Sequence, residues 1–391
     1  MGDITGYLVI GSVAMAVTAS TTPVVRAFAR HRNWVALPSE RKVHTTPTPD
    51  VGGIAMFAGV LAAMFVAWQM DRFSPLFDGN SEPTGLLLGA LVILIVGVRD
   101  DIREVSAPAR VVATVFTGMI LVWFGVTMFY FRIPFLGVLQ LSDDWVPIVT
   151  VFWLLGMTQA VNLIDGLDGL AAGIVAIGST AFFIYSYHLS GLGLLSEPNL
   201  GPLIAIITVG VCVGFLPFNF NGASIFMGDG GAYLLGFLVA VSTSVVGGRA
   251  DPTTQAFSGQ TYFFLAPLVI PLIILGVPVF DVLFAIVRRV SKRQGFATAD
   301  TGHLHHRLIR LGHGPRRAVV ILWGWTALLS AFVLYPVFNT TTTNFVPLGL
   351  LGLVLFLYTV LHPDIDRVKK DENALNIVHP QKDENTPPSG K

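Results

Sequence analysis

Residues 145–188 read WVPIVTVFWLLGMTQAVNLIDGLDGLAAGIVAIGSTAFFIYSYH, and this stretch decides the fold. Two apolar runs, each near the ~20 residues that carry a helix across a bilayer, meet at an Asn-Leu-Ile-Asp-Gly-Leu-Asp-Gly junction. A charge at the bilayer centre costs roughly 2.5 to 3.5 kcal/mol or more, so Asp165 and Asp168 belong at a membrane face or in a polar site. The pattern repeats outward. Asp100 and Asp101 close the apolar run at 84–98, and Asp229 opens the run at 230–247.

A chain of 391 residues that is 53% hydrophobic and only 12% charged has too little polar surface for a soluble globule. The expectation is an all-α, polytopic membrane helix bundle of about 11 spans. They fall near 4–25, 52–70, 84–98, 108–125, 145–164, 167–188, 200–218, 230–247, 262–287, 316–338 and 344–361. The first span is followed by others and reads as a retained helix, not a cleaved signal. Pro267, Pro271 and Pro278 each remove a backbone donor, so the 262–287 span is expected to be broken, with Asp281 on the same segment. Asp281 is equally well read as a satisfied helix-end carboxylate paired with Arg288 and as a site residue. Residues 1–362 are expected to form one integral membrane domain that carries any chemistry, and 363–391 a polar tail of disordered composition.

Basic residues orient the bundle, because short loops rich in Lys and Arg stay cytoplasmic. With the N-terminus outside, 21 of the 24 Lys and Arg residues fall in cytoplasmic segments, leaving Arg72, Arg132 and Arg249. The five acidic residues then share the cytoplasmic face, and the C-terminus joins them there. The expected location is a bacterial plasma membrane. No basic stripe with interleaved aromatics points to nucleic acid, which is excluded as a partner. The single cysteine, Cys212, sits in an apolar run and permits no intramolecular disulfide, so redox chemistry is not indicated.

Five loops could carry chemistry. RKVHTTPTPDVGG brings Arg41, Lys42 and His44, which suit a phosphate-bearing ligand, although inward-facing loops are basic in any case. VRDDIRE places adjacent carboxylates where they could hold a divalent cation, or serve as a cap or solvated turn. NLIDGLDGL is more specific: if helical, Asn162, Asp165 and Asp168 project to one side. FNFNGASIFMGDGG carries Asn219, Phe226 and Asp229, the last of which a helix N-cap would also explain. HLHHRL brings His303, His305, His306 and Arg307, with no cysteine partner or His-Glu-x-x-His helix to support zinc. Five gathered carboxylates would repel a phosphate ligand unless a divalent cation and basic groups intervened. Mg²⁺ takes only one or two carboxylates beside waters and substrate phosphates, so not all five acids are ligands.

Taken in order, RKVHxxPxP, VRDD, NLIDGLDGL, FMGDGG and HLHH resemble the polyprenyl-phosphate N-acetylhexosamine-1-phosphate transferases, of the glycosyltransferase 4 type, across positions 41–307. The HLHH pattern is similar to the GlcNAc-1-phosphate branch and differs from the three consecutive histidines of the muramyl-pentapeptide branch. The resemblance implies a UDP-N-acetylhexosamine donor, most directly UDP-GlcNAc. It also implies a polyprenyl phosphate acceptor, undecaprenyl or decaprenyl, and release of UMP as lipid-linked cell-envelope glycan synthesis begins. Mg²⁺ is the implied cofactor, with Mn²⁺ as a substitute, and a homodimer stays open. The resemblance puts Asp229 and Asn162 beside the metal, and Asp100 and Asp101 by the acceptor phosphate, with Asp165 completing the acidic centre. Asn219, Phe226, Asp168 and Lys42 fall near the uridine; His303, His305, His306 and Arg307 fall near the diphosphate or sugar, and Arg41 and His44 belong to the same binding loops.

The chain departs from that pattern at Glu104, where the family often has Asp, and at Gly222-Ala223-Ser224, where relatives often carry Pro-Ala-Arg or Pro-Ala-Lys. Ala232 stands where a serine is common. Two schedules stay open at this level: direct attack of the acceptor phosphate on the sugar-bearing phosphorus, with Asp100 orienting the acceptor or taking a residual proton, or passage through an aspartyl phosphate. The alternatives to the whole reading are a UDP-MurNAc-pentapeptide transferase, a transferase using a CDP-activated donor, and a lipid transporter or flippase.

Overall fold

Every apolar run between residues 4 and 247 folds as a helix. The computed structural model describes residues 4–36, 47–128, 130–133, 137–193, 195, 199–247, 308, 313–338 and 344–361. Ten α-helices occur among them: α1 (Thr5–His31), α2 (Gly53–Gln69), α3 (Glu82–Ile102), α4 (Ala107–Trp123), α5 (Trp145–Ile164), α6 (Leu170–Gly191), α7 (Leu200–Asn219), α8 (Gly228–Gly247), α9 (Pro315–Phe338) and α10 (Val346–Leu361). Each coincides with one of the expected spans. The span at 262–287 with its break, Asp281 and the tail lie outside the described residues.

Six helices, α1, α5, α6, α7, α8 and α9, are long and apolar enough to cross a membrane. The shorter apolar helices α2, α4 and α10 have 17, 17 and 16 residues. At 1.5 Å per residue these reach about 25 Å, a little less than the ~30 Å hydrocarbon layer. Helix α1 overruns its expected end at residue 25: its 27 residues extend about 40 Å and carry Arg26 and Arg30 past the apolar stretch.

Helix α8 is apolar on every side, and 94% of its apolar window is buried. Such a helix belongs in the middle of a bundle. It packs against α2, α3, α5 and α7, while α1 lies on α2 and α7, α4 on α3 and α5, α6 on α7 and α9, and α10 on α9. Phe215, Tyr233 and Phe237 are among the largest fully buried side chains and fill these contacts.

The N-terminal end of α8 is held with almost no side chain between backbones. A Cβ on Gly97 of α3 would collide with Asp229 and Gly230, and one on Gly53 of α2 would collide with Gly230 and Gly231. Small residues permit this approach in a bundle whose exterior is as apolar as lipid. As a consequence Asp100 and Asp101, one turn beyond Gly97, reach the first turn of α8.

Two small antiparallel sheets qualify the all-α expectation. Val35–Ala36 (β1) pairs with Thr48–Pro49 (β2), and Tyr130–Ile133 (β3) with Gly137–Gln140 (β4). The β-branched and aromatic content of Tyr-Phe-Arg-Ile suits a strand, a signal outweighed in the sequence by the apolar runs on either side. The first pair leads into the site: Pro49 O accepts from Phe226 N at 2.8 Å, and Gly52 N donates to Phe226 O at 2.9 Å.

Candidate active site

A cleft of about 1150 Å³ opens at the end of the bundle where α3, α5 and α7 finish and α2, α4, α6, α8 and α9 begin. Seven carboxylates line it, Asp50, Asp100, Asp101, Glu104, Asp165, Asp168 and Asp229, together with the guanidinium groups of Arg110 and Arg316. Asn162, Asn219 and Phe226 complete the polar and aromatic lining considered from the sequence. All five aspartates that border apolar runs therefore meet in one cavity.

Asp101 is a helix cap supplied by a distant helix. Its two carboxylate oxygens accept from the backbone N–H groups of Asp229, at 2.6 Å, and Gly230, at 3.1 Å. These are among the amides that a helix leaves without internal partners. Gly228, at φ 69°, makes the turn into α8, and a side chain there would run into Asp101. A cap of this kind is worth about 0.5–2 kcal/mol, so Asp101→Ala is expected to lower detergent-solution stability by roughly that amount. Thermal unfolding of the purified variant checks this; an unchanged midpoint would remove the capping role.

With the cap supplied by Asp101, the side chain of Asp229 is released for other contacts. Its Oδ1 accepts from Asn162 Nδ2 at 2.6 Å, and its Oδ2 lies 3.6 Å from Arg110 NH1. Arg110 also donates to Asp100 Oδ2 at 2.9 Å, and Asp100 Oδ1 accepts from Val105 N at 2.7 Å. The Asp100 side chain is only 6% exposed against 32% for Arg110. Both oxygens of Asp100 and both of Asp101 are thus engaged by protein, and Arg110 presents the more open surface of the cluster.

The NLIDGLDGL segment is not one continuous helix. Helix α5 ends at Ile164, Asp165 caps it, and Gly169 turns the chain at φ 76° before α6 begins. Asn162, Asp165 and Asp168 still reach the same cleft, because the turn rewinds the chain there. Asp168 Oδ2 accepts from Gly222 N at 3.1 Å and Ala223 N at 2.9 Å. Asn219 is buried, accepting from Gly169 N at 3.0 Å and donating to Ile225 O at 3.2 Å. Together they tie the 220–226 loop to the α5–α6 turn, and Phe226 enters the cleft from that loop.

Burial raises the Asp165 carboxyl well above the ordinary range, and the negative charges of Asp50, Asp229 and Asp168 add to the effect. An acidic centre of this kind has a high affinity for positive charge. Its donors are hard oxygens, which suit Mg²⁺ or Mn²⁺ better than softer metals. Among the described residues no three His, Cys, Asp or Glu side chains are arranged to hold a metal by themselves.

Three charged lining residues, Asp50, Arg110 and Arg316, carry no signal in the sequence. Asp50 lies at the end of a basic, Pro-rich loop, Arg110 is one charge in a positive-inside loop, and Arg316 stands at the start of an apolar run. Arg41, Lys42, His44, His303, His305, His306 and Arg307 lie outside the described residues.

Residues 83–247 match Glycosyl transferase family 4. The chain is 34% identical over 351 residues to a decaprenyl-phosphate N-acetylglucosaminephosphotransferase of Mycobacterium leprae, covering 87% of this chain and 86% of the relative. It is 34% identical over 316 residues to a probable undecaprenyl-phosphate N-acetylglucosaminyl 1-phosphate transferase of Bacillus subtilis, covering 80% of each. Similarity also extends to a phospho-N-acetylmuramoyl-pentapeptide-transferase of Oceanobacillus iheyensis, at 28% identity over 82% of this chain and 94% of the relative.

Proposed function

The chain belongs to the polyprenyl-phosphate N-acetylglucosamine-1-phosphate transferases of glycosyl transferase family 4, and from that premise we infer that it transfers GlcNAc 1-phosphate from UDP-GlcNAc to polyprenyl phosphate, releasing UMP. The observation that carries the reading is the cleft itself. Carboxylates, two guanidinium groups and an asparagine meet at one end of a bundle of apolar helices, where a lipid-borne phosphate and a water-soluble nucleotide can meet. The greater similarity to GlcNAc-phosphate transferases than to the muramyl-pentapeptide enzyme favours the smaller sugar donor.

Phosphoryl transfer depends chiefly on alignment and charge neutralisation. Asp229 and Asn162 would hold Mg²⁺, with Mn²⁺ as a substitute, and the ion would neutralise phosphate charge in the cleft. Arg110 meets the acceptor phosphate, held in place by Asp100. Asp101 sets the position of Asp229 through its backbone, and Asp165 stands beside them in the acidic centre. Asp168 and Asn219 shape the 220–226 loop, and Phe226 offers a ring to the uracil. The distribution of Lys and Arg supports a cytoplasmic cleft, and the bacterial relatives favour a bacterial plasma membrane as its location.

A phosphomonoester with a second pKa near ~6 is already largely ionised at neutral pH, so the acceptor needs no strong base. Because the oxygens of Asp100 and Asp101 are engaged by protein hydrogen bonds, direct displacement is favoured over an aspartyl phosphate. Incubation with labelled UDP-GlcNAc and no acceptor is expected to leave the protein unlabelled. A phospho-sugar trapped on either residue would overturn direct displacement.

Donor choice is tested by competition. Purified protein, polyprenyl phosphate and equal UDP-GlcNAc and UDP-MurNAc-pentapeptide are expected to yield UMP with lipid-linked GlcNAc alone. A muramyl product would move the chain to the other branch. Lipid movement across vesicles with no UMP release would favour a transporter.

A further inference from the structure

Arg110 is one of two described cations lining the cleft, and it is already engaged with Asp100 and Asp229. The other is Arg316, in the first turn of α9. Its guanidinium carbon lies 5.8 Å from the centroid of Phe220, and Phe220 stacks on Trp323 with centroids 5.2 Å apart and planes inclined by 29°. Trp323 occupies the space that a side chain on Gly173 would need, so this aromatic shelf is wedged between α6 and α9. No carboxylate lies within ion-pair distance of Arg316 among the described residues. The neighbouring loop from Phe220 to Phe226 carries no basic residue, and two of its amides are held by Asp168.

We propose that Arg316, carried on the Phe220–Trp323 shelf, is a residue that binds the phosphate of the uridine nucleotide, both in the donor and in departing UMP. Both reactants are anionic and enter a cleft in which, among the described residues, carboxylates outnumber guanidinium groups, so each phosphate needs its own counter-charge. Arg110 sits with Asp100 and Asp229; Arg316 sits beside the Phe220–Phe226 loop, whose Gly222, Ala223 and Ser224 bring no cation of their own. A guanidinium offers a planar pair of donors that fits phosphate oxygens, and its charge persists throughout the physiological range. The inference rests on the transferase reading and adds a specificity-determining residue to it.

Arg316→Gln is expected to raise the KM for UDP-GlcNAc about tenfold or more, the factor associated with a charge-assisted hydrogen bond, with little change in the KM for polyprenyl phosphate. Arg316→Lys keeps the charge without the fork and should fall between the two. Arg317→Gln, the next residue on α9 and outside the cleft lining, should match the wild type. Equilibrium binding of UMP and of uridine is measured on the same preparations: the glutamine variant should lose UMP affinity by the same factor and keep its affinity for uridine. Unchanged donor KM and unchanged UMP binding in an active Arg316→Gln enzyme would overturn the proposal while leaving the transferase reading intact. A wild-type protein that neither releases UMP nor binds uridine nucleotides would refute both.

Discussion

Asp229→Asn should reduce turnover by about 10²-fold or more, comparable to losing a principal electrostatic group from an active site, ~3 kcal/mol or above. The variant should fold, because the asparagine oxygen can still accept from Asn162 Nδ2, Arg110 keeps its bond to Asp100 when the 3.6 Å contact to residue 229 is lost, and the Asp101 cap acts on the backbone of residue 229. What is lost is negative charge toward the divalent cation, since an amide contributes none. The measurement is initial UMP release across a Mg²⁺ titration, paired with thermal unfolding in detergent. Lost turnover with an unchanged unfolding midpoint matches the assignment. Near-normal turnover by correctly inserted protein would remove Asp229 from the metal site.

Arg110→Gln is expected to damage both activity and stability, and the two can be separated. Removing the guanidinium strands the Asp100 carboxylate, only 6% exposed, although the Val105 amide still donates to it. Breaking a fully buried pair costs 3–5 kcal/mol; Arg110 is one-third exposed, so about 1–3 kcal/mol is the appropriate discount. Turnover should fall by about 10- to 100-fold, because Arg110 is the cation assigned to the acceptor phosphate. The double variant Asp100→Asn/Arg110→Gln replaces the stranded carboxylate with a neutral amide and should recover most of the stability but little of the turnover. If unfolding and UMP release recover together, Arg110 acts only as a structural partner. If stability does not recover, the Asp100–Arg110 pair is not what the single variant disturbs.

The bundle was legible because about twenty apolar residues in a row leave few alternatives, and ten of the expected spans coincide with helices. The acidic loops were legible for a related reason: carboxylates such as Asp165 and Asp229 interrupt runs that otherwise exclude charge. The contacts between helices were harder to see. Asp101 reads locally as one half of an acidic turn, yet it caps a helix that starts 127 residues later, and only the Gly97–Gly230 approach makes that reachable. Arg110 and Arg316 carry no motif, and each gains meaning from a neighbour remote in sequence, Asp229 for one and Phe220 for the other. The three-residue rhythm of Asn162, Asp165 and Asp168 suggested a helical face. Gly169 in the left-handed region breaks the helix and still delivers the three side chains to one cavity.

In the proposed function, one acidic cleft brings together a divalent cation, a sugar nucleotide and a lipid phosphate for a single exchange. Its most direct test follows UMP and lipid-linked GlcNAc 1-phosphate together, using purified protein, UDP-GlcNAc and decaprenyl phosphate, before and after chelation and then on Mg²⁺ readdition. One UMP for each lipid product, both lost on chelation and restored by Mg²⁺, is the predicted result. Lipid product that accumulates without equimolar UMP, or exchange that continues undiminished in excess chelator, would contradict it.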